Sequence, residues 1–153
     1  MIEGHKPDIV IRDALPNCEA HRKVARATLE ALGIESLEMP YSTMPLYVMP
    51  YLGPTQVRGG LFPKRSFNIW FLLLNCRDYP KFLKQADTLV HELIHASQFA
   101  YGDLELDSNK DFLVWKKVRY DLTKLAYTDR PWEKEALATQ QSIFKKVKFK
   151  LGF

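Results

Sequence analysis

The chain has 153 residues, the size of a single domain, and 46% of them are hydrophobic while 26% are charged. This composition excludes a disordered or collagen-like chain. Basic residues outnumber acidic ones by 22 to 18, and the net charge of +4 permits an anionic partner without requiring one. We therefore expect one globular domain over residues 1–153.

The cysteines and the apolar runs bear on the cellular setting. Cys18 and Cys76 are too few for a disulfide framework and match no zinc ribbon, so we expect reduced thiols. Residues Met1–Asp8 lack the apolar stretch of a signal peptide. The longest apolar run, Ile69–Leu74, is far shorter than the ~20 residues that cross a bilayer. These features predict a soluble cytoplasmic protein with no membrane partner.

The first third of the chain predicts one helix followed by short extended segments. Asn17 can cap a helix over residues 17–33, whose apolar residues recur at helical spacing. The prolines and glycines of residues 39–63 exclude a long helix, and extended pieces such as Leu46–Met49 fit between them. Within that segment, the Gly59–Gly60 pair predicts a tight turn.

A buried strand and a long helix are expected next. Phe67–Leu74 is apolar at almost every position, which predicts a strand covered on both faces. Asp78 is a good helix cap, and Pro80 is tolerated in a first turn. We therefore expect a largely buried helix that runs to Tyr101 and ends at Gly102.

The rest of the chain predicts a loop, a hairpin and a terminal helix. Residues 103–111 are acidic and polar, which predicts a surface loop. The segment Phe112–Tyr120 fits either a hairpin around Lys116–Lys117 or a short helix, and we favour the hairpin. The last helix is expected over Trp132–Lys148, with Leu137 among the residues that pack inward.

The most informative segment is the HExxH motif from His91 to His95. Residues four apart lie on the same face of a helix, so both imidazoles can reach one zinc ion at about 2.0–2.1 Å. Glu92 can project toward a water molecule on that ion, where a general base is needed. Gln98 and Thr88 share the face of His91 and could support the site, although plain helix packing is an alternative for each.

A catalytic zinc site needs a third protein ligand and an open position for water. No histidine follows His95, and the position six residues later is Tyr101. The third ligand should therefore be a carboxylate or a distant histidine. We expect Glu135, because the small Ala136 beside it would let its helix approach the motif helix closely. Glu133 is the alternative, since the two carboxylates lie about 200° apart on a helix and cannot both face the site.

The motif resembles that of the zincins, metallopeptidases that carry HExxH on their central helix. This resemblance implies a single α+β zincin-like domain, in which the motif helix packs on a small, mostly antiparallel sheet between N- and C-terminal helices. It implies that the strand before the motif, here Phe67–Leu74, is the edge along which an extended peptide substrate binds. Glu135 on a later helix resembles the third ligand of the gluzincins.

Two further segments narrow the resemblance. With HExxH, Trp115–Lys116 and Pro131–Ala136 look like parts of small metallopeptidase-like proteins of phages and bacteria, near the SprT-like proteins. This chain has Lys117 where those relatives usually have a glycine. Many zincins use a tyrosine or histidine to donate a hydrogen bond to the developing oxyanion, and Tyr127 is the expected donor here.

These expectations combine into a zinc-dependent peptidase. His91, His95 and Glu135 would hold Zn²⁺, and Glu92 would act as general base toward the metal-bound water that attacks a peptide bond. One alternative is a non-catalytic zinc-binding structural or accessory protein, for example of a phage, which would place it in the host cytoplasm or the virion. The other is a DNA-associated SprT-like module, with nucleic acid bound by the basic tail of residues 145–150.

Overall fold

The structure, a computed structural model, describes residues 9–51 and 57–153. The amino-terminal segment Met1–Asp8, for which no signal peptide is expected, lies outside the described residues, as do Gly53 and Pro54 of the segment rich in glycine and proline. Among the helices of the described residues, none combines the length and apolar character that crossing a bilayer requires.

The described residues form helices and strands that alternate along the chain. The helices are α1 (Cys18–Ala31), α2 (Phe82–Ala100) and α3 (Pro131–Leu151), with short 3₁₀ turns at Arg65–Phe67 and Tyr127–Asp129. The strands are β1 (Ile9–Ile11), β2 (Leu46–Tyr51), β3 (Gly59–Lys64), β4 (Ile69–Asn75), β5 (Leu104–Leu106), β6 (Phe112–Trp115) and β7 (Val118–Asp121). The α+β class expected from the sequence is confirmed at this level.

The larger sheet has four strands in the order β1-β2-β4-β3. The pairs β1–β2 and β2–β4 are parallel, and β3 is antiparallel to β4. Parallel pairing of β1 with β2 is possible because α1 provides the crossover between them, whereas β3 and β4 are joined by a short turn. The expectation that this sheet is mostly antiparallel is therefore wrong. The smaller sheet, β5-β6-β7, is antiparallel throughout.

Helix α2 lies at the centre of the packing. It contacts α1 and α3 on one side and strands β3, β4 and β5 on the other. Trp70, Leu72 and Leu74 alternate along β4 and are each at most 2% exposed, so this face of the sheet is fully covered. On α2 itself, Leu89 and Leu93 are completely buried. The position of the motif helix is thus fixed by core packing on two sides.

Two expected helix caps are corrected by the structure. Asn17 precedes α1 but adopts a left-handed conformation with φ of 58°, and its side chain makes no capping hydrogen bond. Helix α2 begins at Phe82 rather than near Asp78. The backbone N–H of Asp78 instead donates to Oδ1 of Asn75 at 3.0 Å, because Asp78 belongs to the turn that leaves β4.

Other expectations for the loops divide between confirmation and correction. The hairpin around Lys116–Lys117 is confirmed, with Trp115 opposite Val118 and both lysines at positive φ. The predicted loop over residues 103–111 contains β5, which pairs with β6. The predicted tight turn at Gly59–Gly60 is wrong, since both glycines pair with β4.

Candidate metal centre

His91 and His95 lie one turn apart on the buried face of α2, as the motif predicts. His91 is 9% exposed and His95 is 6% exposed. Their Nε2 atoms are 3.1 Å apart, and the two rings stand nearly perpendicular, at 86°. Both rings therefore direct their Nε2 atoms toward one point between them.

Glu133 is the carboxylate that completes the cluster. It lies in the first turn of α3 and is 5% exposed. Its Oε1 is 2.5 Å from Nε2 of His95, and its Oε2 is 3.3 Å from Nε2 of His91. One ligand atom from each of the three residues lies within 4.8 Å of the others, so this buried group could hold a metal ion.

The structure corrects the expected third ligand, because it does not bring Glu135 to the histidines. The Glu135 side chain remains 43% exposed, and its Oε2 lies 3.9 Å from Nζ of Lys116. Its Oε1 accepts a hydrogen bond from Gln98 Nε2 at 3.3 Å. Side chains two residues apart on a helix point in directions that differ by about 200°. The helix register that buries Glu133 therefore leaves Glu135 beside the site.

Each histidine is hydrogen-bonded through its other ring nitrogen to a glutamine. Nδ1 of His95 lies 2.8 Å from Oε1 of Gln98 on the same helix. Nδ1 of His91 lies 2.7 Å from Oε1 of Gln140 on α3. The sequence indicated Gln98 as a candidate support but gave no indication of Gln140. Thr88, the other candidate, donates its hydroxyl to the Lys84 carbonyl at 3.0 Å, which is ordinary helix packing.

The electrostatics of the cluster favour a cation. Burial tends to raise the pKa of Glu133, but the adjacent rings of His91 and His95 lower it far below its usual value. Burial likewise tends to lower the pKa of His91, yet Glu133, Glu92 and Gln140 together raise it. Oε2 of Glu133 is also buried, 3.3 Å from Nε2 of His91. A buried, charged carboxylate beside two imidazole nitrogens is a donor set that suits a divalent cation such as zinc.

Glu92 lies beside the cluster and faces the same cavity. Its side chain is 9% exposed, and burial raises its pKa above the usual glutamate value, an effect that the nearby histidines reduce. A buried carboxylate with a raised pKa holds a proton more readily than an exposed one. This is the property required of a group that accepts a proton and later releases it.

Tyr127 approaches the cluster from the 3₁₀ turn that precedes α3. Its hydroxyl lies 3.5 Å from Nε2 of His91, and the residue as a whole is 51% exposed. Burial and the Glu133 carboxylate raise the pKa of Tyr127 above its usual value, so the phenol keeps its proton at neutral pH. The structure therefore brings the predicted Tyr127 side chain to the site as a hydrogen-bond donor.

The cluster opens into a cavity of about 730 Å³. Strand β3 forms one wall with residues Gly59–Pro63, and apolar residues of α2, β5 and β6 line another part. Leu137 of α3 also lines this cavity and is 49% exposed, which corrects the expectation that it packs inward. Tyr127 and Glu92 both contribute to the lining. The group of His91, His95 and Glu133 is thus open to a space large enough for part of a peptide chain.

Of the two distant histidines, His21 lies in the described residues and does not contribute to the centre. His21 is completely buried in α1, where its Nδ1 lies 3.0 Å from the carbonyl oxygen of Asn17 and its ring packs edge-on against Phe82. His5 lies outside the described residues. The alternative of a distant histidine ligand therefore finds no support from His21.

No protein-family model, curated protein or solved structure matches this chain. The function must accordingly be inferred from the chemistry of the site.

Proposed function

We propose that the protein is a zinc-dependent peptidase. The observation that carries this proposal is the buried group of His91, His95 and Glu133, whose ligand atoms converge at the end of an open cavity. A purely structural zinc site is normally closed by four protein ligands, whereas a catalytic site has three and keeps one position for water or substrate. The described group has three.

Glu92 supplies the second element of the proposal. When bound, zinc would polarise a peptide carbonyl and lower the pKa of a water molecule. Glu92 would accept a proton as that water attacks the carbonyl carbon. It would then deliver the proton to the leaving nitrogen as the C–N bond breaks. Its burial beside the histidines suits this role, because it must hold the proton between the two steps.

Tyr127 would stabilise the charge that develops during attack. Its hydroxyl faces the cluster near His91, and the raised pKa keeps it protonated. A donor placed where negative charge develops strengthens its hydrogen bond in the transition state. Tyr127 is half exposed and lines the cavity, so a substrate carbonyl could approach its hydroxyl from the open side.

The substrate would bind along β3 rather than along β4. Strand β4 has hydrogen-bonded neighbours on both sides, β2 and β3, so its backbone cannot pair with a peptide. The expectation that Phe67–Leu74 is the binding edge is therefore wrong. Strand β3 pairs only with β4 among the described residues and lines the cavity over Gly59–Pro63. An extended peptide could add to this edge through main-chain hydrogen bonds.

The test is the substitution Glu92→Gln, with Glu19→Gln on the exposed surface of α1 as control. Removal of the general base should lower the rate of peptide cleavage by at least about 100-fold while zinc content stays at the wild-type level. Cleavage of a mixed peptide library, followed by mass spectrometry, measures the rate, and elemental analysis measures the zinc.

Two outcomes would contradict the proposal. Undiminished cleavage by Glu92→Gln would remove Glu92 from the mechanism. A wild-type protein that binds zinc stoichiometrically but cleaves no library member would favour the alternative of a non-catalytic zinc-binding protein.

A further inference from the structure

We infer that Gln98 and Gln140 are positioning residues that fix the tautomer of both histidines, so that each Nε2 presents its lone pair to the cation. This inference deepens the proposed function, and its metal-binding part rests on that proposal. The tautomer part rests only on hydrogen bonds among described residues.

The orientation of the Gln140 amide is set by Asp87. Nε2 of Gln140 donates to Oδ1 of Asp87 at 2.7 Å and lies 3.3 Å from the Asp87 backbone oxygen. Both partners are acceptors, so a flipped amide would direct its own oxygen at two other oxygens. The amide oxygen must therefore face His91, which it meets at 2.7 Å. An acceptor at that position requires Nδ1 of His91 to carry the proton.

Gln98 repeats this arrangement for the second histidine. Its Nε2 donates to the Trp132 carbonyl at 3.1 Å and to Oε1 of Glu135 at 3.3 Å. Its Oε1 therefore faces Nδ1 of His95, at 2.8 Å, and that nitrogen must be the donor. Glu135, which the sequence indicated as a ligand, thus acts on the centre indirectly by holding Gln98.

The two relays, Asp87–Gln140–His91 and Glu135–Gln98–His95, have a common chemical consequence. With Nδ1 protonated in each neutral ring, the two Nε2 lone pairs face each other 3.1 Å apart and next to Glu133. The two lone pairs and the Glu133 carboxylate repel one another until a cation lies between them. The metal-free protein is therefore preorganised to bind a metal ion. The groups that contact Nδ1 of the two rings are neutral amides and add no charge. Among the described residues, Glu133 is then the carboxylate in the ligand group, and a divalent ion bound there keeps net positive charge.

The experiment removes one relay and then restores it with the amide and the carboxylate exchanged between positions 87 and 140. Gln140→Leu removes the acceptor for His91. The double substitution Asp87→Asn/Gln140→Glu restores an acceptor for His91 and a donor–acceptor pair behind it. Gln141→Leu, one residue further along α3 and exposed, is the control. Circular dichroism establishes that each variant is folded.

Two readouts separate this inference from the peptidase proposal. Long-range ¹H–¹⁵N spectra of the metal-free protein, recorded over a series of pH values, report the tautomer of each histidine without any metal or activity. Competition between protein and a chromophoric chelator for Zn²⁺ reports affinity. Loss of a group that orients a metal-binding histidine typically lowers affinity about 10- to 100-fold.

We expect His91 and His95 to be Nδ1–H tautomers in the wild type and in Gln141→Leu. Gln140→Leu should convert His91 to a tautomer mixture and weaken zinc binding 10- to 100-fold, and the double variant should recover the tautomer and most of the affinity. An Nε2–H tautomer in the wild type, or unchanged spectra and affinity in Gln140→Leu, would overturn the inference. Correct tautomers in a protein that cleaves no peptide would leave it intact and contradict only the proposed function.

Discussion

Glu133 is the residue on which the charge balance of the site depends. It is a buried carboxylate between two imidazoles, and nothing else in the described cluster could neutralise it without a metal except a proton on one ring. In the metal-free protein, the lowered pKa of Glu133 and the raised pKa of His91 describe this ion pair. Each shift makes stability depend on pH in its own direction.

The variant Glu133→Gln should reveal this dependence in the presence of a chelator. The carboxylate contribution is complete above the ordinary glutamate value of 4.5 and is lost as pH falls through the lower folded pKa. The His91 contribution is complete below 6.5 and is lost as pH rises through the higher folded pKa. The unfolding free energy of wild type relative to Glu133→Gln should therefore be greatest between these two values.

Urea unfolding at a series of pH values measures this difference. Glu135→Gln, which removes the same charge from the partly exposed neighbour, is the control. A difference between wild type and Glu133→Gln that is constant over the whole series would contradict the ion pair.

At the same scale, the sequence predicts the two histidines and Glu92 but not the third ligand. HExxH is sufficient because helical geometry alone brings positions four apart together. The choice between Glu133 and Glu135 depends on the register of α3. The buried face of α3 includes Ala136, Ile143 and Val147, which are spaced by seven and four residues, as expected for one face of a helix. Glu133 lies three residues before Ala136, so it falls on the same face. The small residue beside Glu135 was a weaker indication than this periodicity.

Strand β3 is the element that joins the cavity wall to the motif helix. A Cβ atom at Gly59 would lie 2.5 Å from the Leu73 backbone oxygen and 2.8 Å from Cγ2 of Thr88. Thr88 precedes His91 by one turn of α2, so the absence of a side chain at Gly59 lets the strand approach the helix closely. Gly59 therefore serves close packing within a strand, and not the predicted turn.

The substitution Gly59→Ala should destabilise the protein by about 1–3 kcal/mol, because a backbone atom cannot move aside without shifting β3 or β4. Gly60→Ala is a matched control on the same strand. There the new Cβ would meet the ring of Phe62 at 2.6 Å, and that side chain is half exposed and can rotate. Its effect should stay within about 0.5 kcal/mol.

Chemical denaturation of both variants measures the difference. Equal stability of Gly59→Ala and Gly60→Ala would contradict the close approach of β3 to α2.

The sequence predicts whether a segment is a helix or a strand better than it predicts which strands pair in the sheet. Apolar periodicity identified α1, α2, α3 and β4, and the Lys116–Lys117 hairpin was found from its local pattern. Which strand lies at the edge depends on pairing between distant segments, and no local pattern reports it. The apolar character of Phe67–Leu74 in fact fits an interior strand, covered on both faces and paired on both sides.

At the scale of the whole molecule, the described fold places the candidate centre between α2 and α3 with the cavity facing β3. Residues 145–150 belong to α3, where Lys150 forms an ion pair with Glu30 and Nζ of Lys148 lies 4.8 Å from the ring centroid of Phe144. Contact of this segment with nucleic acid stays a prediction. The proposed function and the inference about the histidine tautomers both depend on this centre.

The most direct measurement is anomalous diffraction from zinc-loaded crystals, collected on both sides of the zinc absorption edge. We predict one peak at about 2.0–2.2 Å from Nε2 of His91, Nε2 of His95 and a carboxylate oxygen of Glu133. The peak should disappear in Glu133→Gln and persist in Glu135→Gln. A peak elsewhere, or one that depends on Glu135 instead of Glu133, would contradict the metal centre described here.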